Sequence, residues 1–370
     1  MEKNQQPIET EGKYLIALLR AAIRSEVPSP APQNLNWKVL FSLAKSHAVE
    51  ATVFRSVESG GQCPEDILCE WKKCADRALA KELMYDAERG EILAEFDRAG
   101  IKYLPLKGII IKNFYPRRGM RQFTDNDILF DKKRKKKVRE IMLSRGYSMD
   151  KFASRHSEHD VYQKLPAFNF EMHRDLVDES ALYKKYFDKI WERAVKDDGD
   201  NCAWHMTDDD FYVYNLAHFY YHYTHGGAGI KFYADLRVMR ENLNIDRIKV
   251  DASLRETKLD GFEEHVLDIS EKWFGEGRGD VDGEIFDIVL RNGVYGSMEN
   301  FVANQIEEDG LFGFIFLPYN KMKIRFPFLK YLPFLLPFCW IVRLVSFPFS
   351  KRKLKKAWLA IKNTFNKDKS

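Results

Sequence analysis

Two aspartates, Asp125 and Asp127, stand two positions apart at the start of an apolar run that ends at Phe130. Alternation along a strand places both carboxylates on one face, with their Cα atoms roughly 7 Å apart. Two carboxylates directed at one point repel each other unless a cation lies between them. Oxygen ligands of this kind suit Mg²⁺, which also takes ligands from substrate phosphates. The alternative is a pair of solvent-facing acids, because an isolated Asp-x-Asp pattern is a weak signal.

The residues before the aspartates form a second pattern. Ile101 to Leu106 is a short apolar run and predicts a buried strand. Lys107 and Gly108 end this run, and residues 109–114 predict a short helix. Gly108 would therefore lie at a turn from strand to helix, where a missing side chain lets the backbone approach a phosphate group. Lys107 would supply a cation at the same turn.

A strand, a glycine turn, a helix and a strand with Asp-x-Asp form the core pattern of the DNA polymerase β-like nucleotidyltransferases. The chain resembles the uncharacterised bacterial nucleotidyltransferase family of that superfamily over roughly residues 99–178, and more loosely in the flanking helices and the tail. The resemblance rests on Leu106-Lys-Gly108, Tyr115-Pro116, Gly119, Arg121 and Asp125-Asn-Asp-Ile-Leu129. Two departures are Lys107-Gly108, where Gly-Ser is more familiar, and Asn126, where an apolar residue is more usual.

The superfamily also uses a third carboxylate from a later strand. The alternating segment 167–173 lies in the expected place and offers Glu171, with His173 on the same face. A histidine there serves more often as a hydrogen-bonding neighbour than as a metal ligand. The alternative for Glu171 is a structural ion pair with Arg174 or Lys164.

The resemblance implies metal-dependent transfer of a nucleoside monophosphate from a nucleoside triphosphate to the hydroxyl of an unknown acceptor. The implied catalytic residues and ligands of Mg²⁺ or Mn²⁺ are Asp125, Asp127 and Glu171. Lys107, Gly108 and Arg121 are the implied nucleotide-binding residues, with orientation of Asp125 as the alternative role of Arg121. The alternative function is a catalytically silent protein that binds nucleotide or acts at a membrane surface.

A glycine cluster, residues 226–229, leads into a predicted helix that begins at Ile230. It is not a P-loop, because no strand precedes it and the Lys-Ser/Thr ending is missing. A tight turn between helices is one interpretation. A glycine loop before a helix N-terminus that carries Lys231 also suits anion binding. The family resemblance includes a similar His, Gly-Gly and Asp pattern, so Lys231 and Asp235 join the implied nucleotide-binding residues.

Charge is distributed unevenly along the chain. Residues 321–370 hold 13 lysines and arginines and one acid, so this tail carries +12 and the rest of the chain −8, for a net charge of +4. Residues 132–137 are all basic, which indicates either a solvated face or attraction of an anionic partner such as nucleic acid, lipid or polysaccharide precursor. A helix is predicted from about residue 132 to 144 and another from about 180 to 196.

The tail combines apolar, aromatic and basic residues. Its longest uncharged run, residues 331–342, has 12 residues, too few for the roughly 20 that a spanning helix needs. Lysines beside a tryptophan-bearing stripe favour an anionic membrane surface, and we predict such contact through residues 324–362. The alternative is that the apolar part packs on the helical region.

The 45% hydrophobic and 31% charged composition is that of a folded protein. We predict an α+β fold with a small mixed β-sheet core between N-terminal and C-terminal helical regions. The predicted parts are a helical region 1–98, the core 99–178, a second helical region 179–320 and the tail 321–370.

Five cysteines without a regular framework and a polar start predict a cytoplasmic protein with free thiols, or one peripheral to the inner face of the membrane. The acceptor would be a sugar, lipid precursor, protein or small molecule. A nucleic acid is not expected, because no base-stacking platform beside a basic groove is evident.

Overall fold

The computed structural model describes residues 8–150, 157–165, 168–178, 181, 183–276, 283–293, 316, 319, 322 and 326–346. The chain divides into two compact units. The first comprises Met1–Phe219 and Gly229–Val294, and the second comprises Tyr220–Ala228 and Tyr295–Ser370. The α+β fold class is confirmed.

Four helices open the first unit. They are α1 (Glu9–Arg24), α2 (Trp37–Ser46), α3 (Glu50–Gly60) and α4 (Glu65–Arg98). A proline-containing connection separates the first two, and Asn36 caps α2 by accepting hydrogen bonds from the N–H groups of Lys38 and Val39. The apolar faces of α1, α2 and α3 are buried.

A five-stranded mixed sheet follows, with the strand order β1-β2-β5-β4-β3. Its strands are β1 (Tyr103–Pro105), β2 (Asn126–Phe130), β3 (Ser148–Asp150), β4 (His159–Lys164) and β5 (Phe168–His173). The two predicted acid-bearing strands, β2 and β5, are neighbours and run parallel. The other three pairings are antiparallel.

The two faces of the sheet differ because side chains alternate along each strand. One face carries Ile128, Phe130, Phe170 and Met172, which pack in one buried cluster with Ile92 and Phe96 of α4. The opposite face, here named the carboxylate face, carries Asp127 and Leu129 from β2 and Glu171 and His173 from β5. The sheet therefore buries its apolar residues against α4. Asp127, Glu171 and His173, here named the carboxylate row, lie on the other side.

Asn126, at the position where an apolar residue is more usual in the family, lies on the apolar face. It is fully buried, and its side-chain oxygen accepts a hydrogen bond of 2.8 Å from Nη1 of Arg89. Arg89 also forms a salt bridge with Asp86 on the same helix. The polar residue is thus accommodated because α4 supplies a charged donor to it.

The predicted strand-to-helix turn is present. Helix α5 (Gly108–Ile111) and a 3₁₀ turn (Lys112–Phe114) follow β1. After β2, Asp131 accepts a hydrogen bond from the N–H of Lys133 and caps a 3₁₀ turn (Lys132–Arg134) that leads into α6 (Lys135–Ser144). The predicted helix after the aspartate strand is therefore confirmed, with a 3₁₀ first turn.

The single helix predicted over about 180–196 is wrong in the part that the structure describes. Two one-turn helices, α7 (Lys184–Phe187) and α8 (Ile190–Arg193), take its place. They lead to a small antiparallel pair, β6 (Val195–Lys196) and β7 (Trp204–His205). Tertiary contacts explain the break, because Arg193 bonds both carboxylate oxygens of Asp210 and the carbonyl of Tyr186.

Longer helices complete the first unit as the structure describes it. They are α9 (Asp208–Thr224), which continues into the second unit, α10 (Ile230–Asn242), α11 (Arg247–Thr257), α12 (Asp260–Phe274) and α13 (Glu284–Asn292). Thr207 caps α9 by accepting a hydrogen bond from the N–H of Asp210.

In the second unit, two 3₁₀ turns (Pro327–Lys330 and Pro333–Leu335) precede α14 (Leu336–Ser346). Met322, Leu329 and Cys339 are buried together, whereas Phe334 and Phe338 are exposed. Among the described residues, no helix has both the length and the apolar character needed to cross a bilayer. The predicted basic amphipathic segment 347–362 lies outside the described residues.

Candidate active site

Two carboxylates from separate strands meet on the carboxylate face. Asp127 of β2 is the register neighbour of Glu171 of β5. One ligand atom each from Asp127, Glu171 and His173 lie within 4.8 Å of one another. Within the described part of the chain, this close group does not include Asp125. That residue precedes β2 and accepts a hydrogen bond of 2.7 Å from the hydroxyl of Thr124.

Lys107 contacts the carboxylate row directly. Its Nζ lies 2.7 Å from Oδ1 of Asp127, and its side chain is 16% exposed. Its backbone has φ 48° and ψ −123°, a conformation that strongly favours glycine. The turn therefore holds a strained lysine whose ammonium compensates the charge of Asp127, instead of leaving that ammonium free for phosphate.

Two histidines line the same row. Nε2 of His173 lies 2.8 Å from Oδ1 of Asp127 and 3.8 Å from Oε2 of Glu171. Nε2 of His159 lies 3.4 Å from the same glutamate oxygen. Glu171 therefore faces two imidazoles, and the alternative pairing with Arg174 or Lys164 is not what the structure shows.

The two carboxylates have opposite electrostatic properties. Burial alone would raise the pKa of Asp127, but Lys107 and His173 hold that pKa well below its usual range. Burial, followed by the charge of Asp127, raises the pKa of Glu171 to about 7. Burial and the Lys107 ammonium lower the pKa of His173. Near neutral pH, Asp127 is ionised while Glu171 exchanges its proton easily, a division that is common at functional sites.

Gly108 and Arg121 depend on each other sterically. A Cβ atom added to Gly108 would lie 2.5 Å from Nη1 of Arg121. The guanidinium of Arg121 is buried and bonds both oxygens of Asp235, at 2.9 and 2.8 Å. The hydroxyl of Tyr115 donates a third bond to Asp235, at 2.8 Å. Two predicted site residues, Arg121 and Asp235, therefore bind each other, and this pair supports the wall beside the glycine turn.

Lys231, another predicted nucleotide-binding residue, does not form an ion pair with a described carboxylate. Its Nζ donates to the carbonyl of Gln122, and it forms no salt bridge within the described residues. Burial, and next the charge of Arg121, lower its pKa to about 8. The charges of Asp235 and Asp125 act in the opposite direction. The bond to Gln122 places the ammonium beside the segment that leads into Asp125.

Three residues of the site were not identified from the sequence. Glu158 and His159 lie beside His173, and one ligand atom from each of the three falls in a second close group. Tyr214 of α9 is buried, its hydroxyl has no partner within the described residues, and its pKa is raised by burial and by the charge of Asp127. Strand alternation places His159 and Val161 on the same face of β4. The sequence does not show which residues of β5 lie opposite them, so the proximity of His159 to the site was not predicted.

Comparison with known proteins agrees with the motifs. The family model described as "Uncharacterised nucleotidyltransferase" matches residues 33–275, more than half of the 370 residues. Neither a curated protein nor a solved structure matches the chain. The matched range contains the glycine turn, the aspartate pair, Glu171 and Lys231, and its family description supports nucleotidyl transfer in general. The chain belongs to the uncharacterised nucleotidyltransferase family.

Proposed function

We propose that the protein transfers a nucleoside monophosphate from a nucleoside triphosphate to an acceptor hydroxyl, with release of pyrophosphate. The carrying observation is the convergence of Asp127, Glu171 and His173 within 4.8 Å. In the reaction, the acceptor oxygen bonds to the α-phosphorus, and the bond from that phosphorus to the pyrophosphate oxygen breaks. The hydroxyl proton passes to solvent. Such a reaction depends mainly on positioning and on charge compensation.

The residues present fit a divalent cation. Asp127 supplies an ionised oxygen and Glu171 a second oxygen. Nε2 of His173, which donates its proton to Oδ1 of Asp127 in this structure, would become a third ligand in the neutral tautomer that carries its proton on Nδ1. Mg²⁺ prefers oxygen ligands alone, whereas Mn²⁺ also accepts imidazole, so this donor set favours Mn²⁺. A bound cation would supply charge compensation to the phosphates and lower the pKa of the acceptor hydroxyl.

The cations of the site have separate roles in this proposal. Lys231 has no carboxylate partner among the residues that the structure describes, and it bonds Gln122 on the Asp125 side, so it is the residue that would bind the triphosphate. Lys107 compensates the charge of Asp127 in this structure, and its ammonium would turn to a phosphate oxygen when the triphosphate binds. Arg121, held by Asp235, packs against Gly108, and the N–H groups around the glycine turn would donate to phosphate oxygens.

Asp125 is the third acid of the proposed site, with Asp127 and Glu171. It precedes β2 on the same alternation as Asp127, and its charge acts on Glu171 and Lys231. In this proposal Asp125 would help Asp127 and Glu171 to hold the divalent cation, which requires its side chain to leave the hydroxyl of Thr124. The catalytic residues of the proposal therefore remain Asp125, Asp127 and Glu171.

One observation favours a silent, nucleotide-binding relative instead. The Lys107 ammonium lies where a cation would contact Asp127. Activity assays separate the two functions. The protein is incubated with Mn²⁺ or Mg²⁺ and each nucleoside triphosphate labelled at the α-phosphate, with a cell extract as the source of acceptor, and pyrophosphate is measured. We expect release by the wild type and loss of at least about 100-fold in Asp127→Asn.

The matched control for this assay is Asp268→Asn. Asp268 is exposed on α12, where Lys272 is its one ion-pair partner among the described residues, so the variant changes the charge equally and leaves the site intact. Nucleotide binding without pyrophosphate release in the wild type would establish the silent relative. Equal release by wild type and Asp127→Asn would exclude this site as the catalytic centre.

We further propose that the second unit contacts an anionic membrane surface. Phe334, Phe338 and Ile341 are each at least 60% exposed, although large apolar residues are normally buried. The tail 321–370 around them carries a net charge of +12, whereas the rest of the chain carries −8. Contact of this kind would give a peripheral protein at the inner face of the membrane and would favour a lipid precursor over a sugar, a protein or another small molecule as acceptor.

A further inference from the structure

A cavity of about 370 Å³ lies beyond the carboxylate row in the first unit. Leu129 and Asp131 line it at the end of β2, and Asp175 lines it just after β5. Leu129 lies two residues after Asp127 on β2 and pairs with His173 of β5. Because a strand rises about 3.3 Å per residue, the cavity begins roughly 7 Å from the Asp127 position on the same face of the sheet.

Apolar side chains form one wall of this cavity. Phe187 of α7, Ile190 and Trp191 of α8, and Leu129 of β2 all line it. Nζ of Lys102 lies 4.8 Å from the ring centre of Trp191, so the indole already accepts one cation. A cavity in this volume range with an apolar wall suits the body of a small molecule.

The charges that line the cavity leave an excess cation. Asp175 pairs with Lys132 at 2.9 Å, Asp188 pairs with Lys184, and Asp131 accepts the N–H of Lys133. Lys133 is among the residues that line the cavity, and its ammonium has no hydrogen bond or salt bridge within the described chain. The acids are therefore engaged, whereas one cation is available to a ligand.

The position of the cavity distinguishes it from the nucleotide side. Lys231 and the glycine turn lie toward Asp125, before β2 begins, whereas Lys133 follows the end of β2. Asp127 and Glu171 stand between the two ends. An enzyme that joins two substrates needs one binding region on each side of its reacting centre.

We propose that this cavity binds the acceptor, and that the acceptor is a small molecule with an anionic group and an apolar or planar body. Its anionic group, phosphate or carboxylate, binds Lys133, its body packs on Trp191 and Leu129, and its hydroxyl points toward Asp127. This inference rests on the proposed nucleotidyl transfer. It assigns a specific task to one lysine of the basic run 132–137.

Binding of simple probes tests the cavity without nucleotide or metal. Phenyl phosphate and benzoate supply the two anionic groups, phenol is the neutral counterpart, and ligand-observed NMR measures each Kd with the full-length protein. We expect at least one anion to bind more tightly than phenol, and Lys133→Ala to weaken that binding about three- to ten-fold. Phosphate and carboxylate acceptors are distinguished by which probe binds more tightly.

Lys136→Ala is the matched control. Lys136 belongs to the same basic run, is exposed and does not line the cavity, so it removes an equal charge from the same surface. We expect wild-type binding in this variant. Equal weakening by both variants, or equal binding of phenol and the anions, would overturn the cavity proposal in favour of general attraction to the basic run.

Binding of a nucleotide analogue distinguishes the acceptor site from the triphosphate site. A non-hydrolysable triphosphate analogue with Mn²⁺ should keep its Kd in Lys133→Ala and lose affinity in Lys231→Ala. If Lys133→Ala weakens the analogue as much as the anionic probe, the cavity belongs to the nucleotide site and the acceptor role is wrong. Active nucleotidyl transfer without Lys133-dependent binding overturns the cavity proposal alone. Lys133-dependent binding in a protein that transfers no nucleotide overturns the proposed function and the acceptor role together.

Discussion

Nζ of Lys107 lies 2.7 Å from Oδ1 of Asp127, the same oxygen that Nε2 of His173 approaches to 2.8 Å. Lys107 reaches this oxygen from a positive φ of 48°, and such a conformation costs about 1–3 kcal/mol in a residue with a side chain. The fold therefore maintains a strained backbone to hold an ammonium beside the central carboxylate. That ammonium competes with any divalent cation for Asp127.

Lys107→Gly removes this competitor and also relieves the backbone strain. We expect Mn²⁺ to bind the variant about five- to ten-fold more tightly than the wild type in the absence of nucleotide, because one charge–charge repulsion is lost. Titration followed by the electron paramagnetic resonance signal of free Mn²⁺ measures this. Lys136→Gly provides the comparison of equal charge, and weaker Mn²⁺ binding in Lys107→Gly would show that the lysine does not compete.

Metal binding should depend on pH through Glu171. Because burial and Asp127 raise the pKa of this group to about 7, it is protonated below neutral pH and must lose a proton to become a ligand. Affinity for Mn²⁺ should therefore fall about tenfold per pH unit below about 7 and become level above it. Calorimetry in buffers of different ionisation enthalpy measures the released proton. Glu171→Gln should bind more weakly and show a flatter profile, and an unchanged profile would exclude Glu171 as the titrating group.

His173 should control the choice of metal. Its ring nitrogen lies with Asp127 and Glu171 in the close group, and imidazole is a better ligand for Mn²⁺ than for Mg²⁺. We expect His173→Gln to lower Mn²⁺ affinity about 10- to 100-fold and Mg²⁺ affinity much less. Parallel titrations with the two ions give the ratio. A loss of equal size for both would indicate that the histidine only positions Asp127.

The sequence predicted those parts of the site that depend on local patterns. The spacing of Asp125 and Asp127 and the alternation around Glu171 required only strand periodicity, and the structure places the two strands side by side in parallel register. The bond between Arg121 and Asp235 joins residues 114 positions apart, and no local pattern indicates such a partner. His159 was missed for the same reason, because its position opposite His173 depends on the register of β4 and β5.

Backbone conformation was the other limit of prediction. The Lys107-Gly108 pair predicted a turn, and a turn is present, but the positive φ falls on Lys107 and not on the glycine. The direction of the lysine side chain follows from that φ. The ammonium therefore points to Asp127, whereas the sequence alone had assigned it to a phosphate group.

Exposed phenylalanines of the second unit should govern membrane binding. We expect Phe334→Ser/Phe338→Ser to reduce recovery with phosphatidylglycerol vesicles in flotation at least about tenfold, since each buried aromatic side chain contributes about 1.5–3 kcal/mol. Phosphatidylcholine vesicles test the contribution of charge. Leu165→Ser is the control, because Leu165 is 91% exposed in the first unit. Equal flotation of all three proteins would exclude these residues from membrane contact.

Gly108 should be required for stability because it makes room for Arg121. In Gly108→Ala the new Cβ would meet Nη1 at 2.5 Å, and the guanidinium would have to leave the geometry in which it bonds Asp235. We expect a loss of about 1–3 kcal/mol in the free energy of unfolding from this overpacking, measured by urea denaturation. Gly90→Ala is the control, since Gly90 lies within α4 with nothing within 4 Å of the added atom, and it should stabilise the protein by about 0.5–1 kcal/mol. If Gly108→Ala keeps wild-type stability, the Arg121–Asp235 pair is free to shift, and it does not fix the wall of the glycine turn.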